Sequence, residues 1–450
     1  MNEENYGDCM IKITVIGAGL CGCEAAFAAA ERGAQVDLIE MKPQEMSPAH
    51  HSPLLAELVC SNSLKAARID SAAGLLKEEM RRLGSLCMEA AAASSVAAGG
   101  ALAVDRDAFS SRITERISKH PNIRLISRRQ EVLPDDGVTV VATGPLTDGR
   151  LAEEIRRLCG RDYLSFYDAA APIVTADSID MSIAFRASRY GRGEAEEGDY
   201  INLPMNREEY EWFYTALVEG EQAPLKDFDR PLTVYEGCMP IEVMARRGAD
   251  TMRFGPLKPV GLRDPRTGHR PWAAAQLRRE NADGTLYNLV GFQTNLKFGE
   301  QKRIFSMLPG LGGAEFVRYG VMHRNSFICS PKLLNAGYAM RERPEMFFAG
   351  QLCGVEGYME SASSGILAGI NAVRAAGGAP PLILPKFTMM GALAGYISDP
   401  TVEKFQPMGA NFGILPPIEP HIRDKRERYA ALSRRSLDWF SENIAGRPLV

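Results

Sequence analysis

A strand-like run, Lys12 to Ile16, leads into Gly17-Ala18-Gly19-Leu20-Cys21-Gly22, then an alanine-rich segment from Glu24 to Arg32. A second strand-like run, Gln35 to Ile39, ends at Glu40. Strand, G-x-G-x-x-G, helix, strand and acid together form the fingerprint of a dinucleotide site. Gly17 permits the tight turn, Gly19 lets backbone N–H groups approach a pyrophosphate, and Gly22 lets the helix pack close to the strand. The helix N-terminus offers unpaired N–H groups and a positive dipole end to phosphates. Glu40, 23 positions after Gly17, is placed to accept hydrogen bonds from ribose hydroxyls. The fingerprint alone suits FAD and NAD equally.

Two later segments favour FAD. Val138 to Val141 is a buried-strand run closing on Ala142-Thr143-Gly144. Met346 to Ala349 is another, followed by Gly350-Gln351, Gly354, Gly357, Ser361 to Gly365 and a helical stretch from Ile366 to Ala376. Two phosphate- and flavin-cradling turns this far apart in sequence, folding onto one cofactor, imply a large, extended dinucleotide. The helix start at Ser363 to Ile366 is expected to aim at the flavin ring. The expected cofactor contacts are Gly17, Ala18, Gly19, Leu20, Cys21, Gly22 and Glu40 from the first turn. Asn62 joins them, with Gly350, Gln351, Gly357, Ser363 and Gly365 from the second.

The elements that must position these residues fall into two textures. Residues 11–165 read as the first part of a FAD-binding domain, with helices over 72–92, 107–119 and 148–159 and an N-cap at Asp105 or Asp107. Residues 339–450 read as its second part and a C-terminal helix. Between them, 166–338 holds short alternating runs (Pro231–Glu236, Trp272–Leu277, Leu286–Gln293) and a helix over Glu208–Glu219. The expected fold is therefore α/β: a Rossmann-like FAD-binding domain split by an inserted α+β, mainly β, substrate domain. Gly310 to Gly313 reads G-L-G-G in a loop context, so no second G-x-G-x-x-G is found. Any nicotinamide reductant is expected to bind transiently over the flavin.

The 450 residues include 45% hydrophobic residues, ample for a large core. The 52 Lys+Arg against 56 Asp+Glu give a net charge of -4, which taken whole speaks against a nucleic-acid partner. The average hides local basic groups: Arg81-Arg82, Arg128-Arg129, Arg186 to Arg192, Arg246-Arg247, Arg278-Arg279 and Arg423 to Arg435. Arginine pairs suit phosphate contact, although each alone reads as a solvated helix face. Nine cysteines without a C-x-x-C pair, and six histidines without ligand spacing, fit reduced thiols in a cytosol and no metal site. No stretch reaches about 18 uncharged apolar residues, and the first ten residues, with Glu3, Glu4 and Asp8, do not read as a leader. The expectation is a cytoplasmic protein with no membrane contact and no obligate protein partner.

Longer words carry a resemblance. They include Pro48-Ala49-His50-His51, Ala56 to Leu64, Leu76 to Arg82, Gly99 to Arg106 and Tyr167 to Val174. Glu236 to Glu242, Arg318 to Asn325 and Gly350 to Gly369 complete the set. Together they resemble the folate- and FAD-dependent tRNA (uracil-5-)-methyltransferase (TrmFO) family over residues 11 to about 420. The second flavin turn also resembles the larger flavoprotein that modifies the tRNA wobble uridine (MnmG, or GidA), held as a relative and runner-up. Departures from the family pattern are Asn295 where histidine is common, Phe298 for tryptophan, Ala97 for proline and Cys329 for asparagine.

The resemblance implies methylation of uridine C5 in the tRNA T-loop (position 54), using methylenetetrahydrofolate, FAD and NAD(P)H as reductant. Uracil C5 is a poor nucleophile until a thiolate adds at C6, the delivered methylene must be reduced, and the C5 proton must leave. Cys60 and Cys238 match the family words and are expected to be catalytic. Cys238, in a Gly-Cys-Met-Pro turn, is favoured as nucleophile and Cys60 as assisting proton transfer; the sequence leaves the assignment open. Cys9, Cys87, Cys159, Cys329 and Cys353 read as inert buried thiols, and Cys21 and Cys23 as packing. Asn62 and Ser63 are expected near flavin or substrate. His50-His51 have no assigned role, and Glu356 and Glu360 read as folate contacts or solvated carboxylates. The alternatives are the same chemistry on ribosomal RNA, or a flavoprotein that binds RNA without methylating it.

Overall fold

The β-branched run Lys12–Ile16 is the middle strand of a five-stranded sheet. Its order is Met346–Phe348, Val138–Val141, Lys12–Ile16, Gln35–Glu40, Ile123–Ser127, every pair parallel. From the middle strand the chain first builds one side, then returns to build the other. That reversal opens a crevice at the C-terminal ends of Lys12–Ile16 and Val138–Val141, where α/β sheets bind ligands. The computed structural model describes residues 11–160, 163–169, 171–191, 198–223, 239–320, 322–402 and 405–444.

Two helices, Leu20–Ala30 and Tyr358–Ala376, lie against each other beneath the crevice. Small residues allow the approach. A Cβ on Gly365 would lie 2.1 Å from the Cys21 carbonyl oxygen, and one on Gly369 2.3 Å from that of Ala25. The second helix starts at Tyr358, a turn and a half before the expected Ser363 to Ile366, because Gly357 breaks the chain there with φ +121°. The single helix expected over 72–92 is two, Ala72–Arg82 and Leu86–Ala93. Gly84, at φ +77°, ends the first. Ser85 caps the second, and the buried Glu24 carboxylate accepts from Leu86 N at 3.1 Å and Cys87 N at 2.9 Å. Asp105 caps Arg106–Lys119 by accepting from Ala108 N at 3.0 Å, and a further helix spans Gly149–Cys159.

A six-stranded antiparallel sheet forms the second layer system. Its order is Phe185–Arg186, Tyr200–Met205, Ala273–Arg279, Leu286–Leu289, Ile173–Thr175, Phe316–Arg318. The expected run to Gln293 stops at Leu289, since Gly291 turns the chain at φ +79°. The run expected at Pro231–Glu236 lies outside the described residues. The helix Arg207–Glu219 starts in a capping box of Asn206 and Glu209. Tyr163–Ala169 pairs antiparallel with Met322–Ile328, carrying the chain between the two sheets. Around them, Tyr200 Oη donates to Ala98 O at 2.9 Å, and Ala282 N to Asp105 Oδ2 at 2.9 Å. Among the described residues no helix is long and apolar enough to cross a membrane.

Candidate active site

The crevice holds a cavity with ≈ 1250 Å³ of empty space, its open mouth included. One wall is the first glycine turn. Gly17 takes φ +93° and sits so near the next strand that a Cβ would lie 2.7 Å from Ala142 O. Gly19 faces open space, with nothing within 4 Å of a Cβ position. It is also the N-cap of Leu20–Ala30, which no side chain caps, so the first-turn N–H groups have no side-chain acceptor. Glu40 is buried; its carboxylate accepts from Ala18 N at 2.7 Å and Lys42 N at 3.0 Å. Each oxygen keeps a lone pair for a further donor.

The opposite wall comes from Gly350, Gln351, Tyr358 and Ser361, with Thr143 to Asp148 along the side. The Ser361 hydroxyl is buried without a partner. A pocket lined by both glycine turns, with bare helix N–H groups at one and an unsatisfied hydroxyl at the other, fits an extended dinucleotide such as FAD.

Of the expected contacts, Gly17, Ala18, Gly19, Leu20, Cys21, Glu40, Gly350 and Gln351 line this cavity. Gly22 and Gly365 act one layer down. A Cβ on Gly22 would lie 1.7 Å from Gly17 O, so it sets the packing that shapes the turn. Gly357 begins the helix that carries Tyr358 and Ser361. Ser363 turns away, its hydroxyl donating to Glu360 O at 2.8 Å. Asn62 is buried and engaged elsewhere: its amide donates to Val104 O at 3.1 Å, Arg279 O at 2.9 Å and Glu280 O at 3.2 Å.

Cys60 stands half-buried next to the cavity, between Val59, which lines it, and Ser61. Its sulfur lies 2.9 Å from the hydroxyl of Tyr358, a cavity-lining residue 298 positions later. Burial holds the Tyr358 hydroxyl well above its ordinary pKa, so it stays protonated. Three arginines grip the same loop: Arg106 to Leu58 O, Arg318 to Val59 O, and Arg278 to Ser61 Oγ at 2.7 Å. Arg278 also donates to Asn62 Oδ1 at 3.0 Å. Glu280, paired with Arg106, supplies the counter-charge, and burial pushes its carboxyl up.

Cys238 lies outside the described residues. The chain after it, Met239-Pro240, leads into the helix Ile241–Arg246, whose buried Glu242 accepts from Thr294 Oγ1 and Asn295 N, both at 2.8 Å. Asn295 is thus tied inside the insertion, its amide reaching Ala223 O at 3.3 Å. Phe298 is exposed and stacks on Tyr319, ring centroids 5.2 Å apart. Cys21, Cys23, Cys87, Cys159, Cys329 and Cys353 are buried thiols outside any disulfide. Glu360 is buried and paired with Lys65 at 2.6 Å, not a solvated carboxylate. His50 lines the cavity, where burial lowers its pKa. The arginine groups do not act alike: Arg278 is buried under the Cys60 loop, Arg128 lines the cavity, and Arg82 is engaged by Leu437 O and Ser441. Not expected from the sequence were Tyr358, Ser361 as the outward serine, and the Pro145–Asp148 part of the wall.

A family model described as Glucose inhibited division protein A matches residues 12–380. The chain is 57% identical over 433 residues to the methylenetetrahydrofolate--tRNA-(uracil-5-)-methyltransferase TrmFO of Acetivibrio thermocellus, covering 96% of this chain and 98% of that one. It is 55% identical over 426 residues to the protein of the same name from Ligilactobacillus salivarius, covering 95% and 97%. The solved structure of Aquifex aeolicus GidA superposes with a TM-score of 0.69 at 16% identity, covering 98% of this chain and 74% of that one. That last likeness is one of fold.

Proposed function

Because this chain belongs to the TrmFO family, within the wider family described as Glucose inhibited division protein A, we propose that it moves the one-carbon unit of methylenetetrahydrofolate to uridine C5 in tRNA. The observation that carries this reading is the Cys60 thiol, held 2.9 Å from a tyrosine that lines the dinucleotide cavity. That neighbourhood supports pairing thiol chemistry on a uracil with cofactor chemistry in the cavity.

The first-turn N–H groups and Gly17–Gly19 would hold the FAD pyrophosphate, Glu40 its ribose, and Gln351, Tyr358 and Ser361 the end nearer Cys60. Bound there and reduced by NAD(P)H, the flavin would supply the hydride that takes the transferred carbon from methylene to methyl. NAD(P)H is the reductant in this reading, and the T-loop uridine is the target. Cys238 adds to uracil C6, which makes C5 nucleophilic; Cys60 accepts the C5 proton when the methylene is in place.

The test is to incubate the yellow holoprotein with methylenetetrahydrofolate, NAD(P)H and unmodified tRNA or ribosomal RNA, then measure 5-methyluridine. Product on tRNA supports the reading, and product on ribosomal RNA alone overturns it. A Cys238→Ala protein that still traps 5-fluorouracil RNA covalently reassigns the nucleophile to another thiol.

A further inference from the structure

We propose that Cys60 rests as a thiolate at neutral pH, held so by the Tyr358 hydroxyl and by the Arg278 and Arg318 guanidiniums on either side of it. The proposal deepens the reading above, since a cysteine that accepts the C5 proton must first be ionised.

The hydrogen-bond inventory fixes the direction of the Tyr358–Cys60 contact. The Tyr358 oxygen already accepts two backbone N–H bonds, from Cys60 at 2.7 Å and Ser61 at 3.2 Å. A phenol has one hydrogen to give, and the Cys60 sulfur at 2.9 Å receives it. A hydrogen bond donated to sulfur favours the charged form. The hydroxyl keeps its proton because burial opposes its ionisation.

The charges around the loop act the same way. Arg318 donates to the carbonyl just before Cys60 and Arg278 to the hydroxyl just after it. Arg106 holds Leu58 O one step further away and is paired with Glu280. Among the described residues, three guanidiniums against one carboxylate leave a positive surplus around a half-buried sulfur. Cations beside a thiol lower its pKa. The surplus accounts for three arginines, Arg278 buried and Arg106 and Arg318 partly so, converging on one irregular loop. Arg278 and Arg318 are positioning residues that act through Cys60; when the thiol ionises, its proton leaves to solvent.

Alkylation of Cys60 in the holoprotein, followed peptide by peptide with iodoacetamide across pH, reads the thiolate directly. A free thiol has its midpoint near about 8.5. The expected midpoint is lower by about one unit or more, rising in Tyr358→Phe and Arg318→Met and recovering in Arg318→Lys. A wild-type midpoint at or above that of a free thiol overturns the proposal whatever the variants do. So does a wild-type midpoint unmoved by Tyr358→Phe in a variant that still binds FAD. The two readings fail separately: a methylating enzyme with an ordinary Cys60 thiol sinks only this inference. An ionised Cys60 in a protein that makes no 5-methyluridine sinks only the proposed function.

Discussion

Arg278 and Asn62 form a buried pair between the two halves of the molecule, Arg278 Nε donating to Asn62 Oδ1 at 3.0 Å. Asn62 directly follows the Cys60 loop, and Arg278 lies on the insertion's strand Ala273–Arg279. The same amide donates to Arg279 O and Glu280 O, so one side chain ties the thiol loop to the substrate sheet.

Asn62→Ala should therefore behave as a packing lesion. It leaves a buried arginine donor and three carbonyls short of a partner, at a cost of about 2–4 kcal/mol. Thermal unfolding should show the loss, and FAD titration should show affinity changed by less than about threefold. A large fall in FAD affinity at unchanged stability would instead make Asn62 a cofactor ligand.

Gly365 and Gly19 should separate packing from cofactor contact. Gly365→Ala drives a methyl against the Cys21 carbonyl and should destabilise even the cofactor-free protein by about 1–3 kcal/mol or more. Gly19→Ala meets open space and should leave the cofactor-free protein as stable as before while weakening FAD by about tenfold. Differential scanning of both variants, with and without FAD, checks the pair; equal effects on the cofactor-free forms would refute the distinction.

Glu79 should give stability a downward slope with pH. It is buried and accepts from Ser436 Oγ at 2.6 Å, Met389 N at 2.7 Å and Met390 N at 2.8 Å, joining Ala72–Arg82 to the helices Met389–Tyr396 and Lys425–Asn443. Burial raises its pKa from 4.5 to about 7. The folded state thus binds the proton more tightly than the unfolded chain. Its contribution is full below pH 4.5 and is lost as pH rises through about 7, amounting to about 3 kcal/mol by pH 8. Glu24, also raised to about 7 by burial, adds with the same sign. Glu79→Gln should be less stable throughout but show a flatter denaturation profile between pH 5 and pH 8. An unchanged slope would mean that Glu79 does not titrate in this window.

The dinucleotide turn was legible because its parts are local. The spacing of Gly17, Gly19, Gly22 and Glu40 is set by one strand–helix–strand unit. Ala349-Gly350-Gln351 was legible as the end of a second buried strand. What was not legible depends on distant partners. The break at Gly84-Ser85 is fixed by Glu24, more than sixty residues earlier, whose carboxylate satisfies the new helix start. Ser361 and Ser363 are near neighbours in one serine-rich stretch, and only the true start of the helix at Tyr358 decides which faces the cavity. Nothing in the local sequence of Tyr358 announces its bond to Cys60. Asn62 has the composition of a ligand but is spent on backbone carbonyls from the other sheet.

The most direct test of the central claim follows the carbon itself. Holoprotein, NAD(P)H and unmodified tRNA are supplied with isotopically labelled methylenetetrahydrofolate, or separately with labelled S-adenosylmethionine. The account predicts 5-methyluridine in tRNA carrying the folate label, and none from S-adenosylmethionine. Folate label absent from the tRNA, or a methyl group arriving from S-adenosylmethionine, would contradict it.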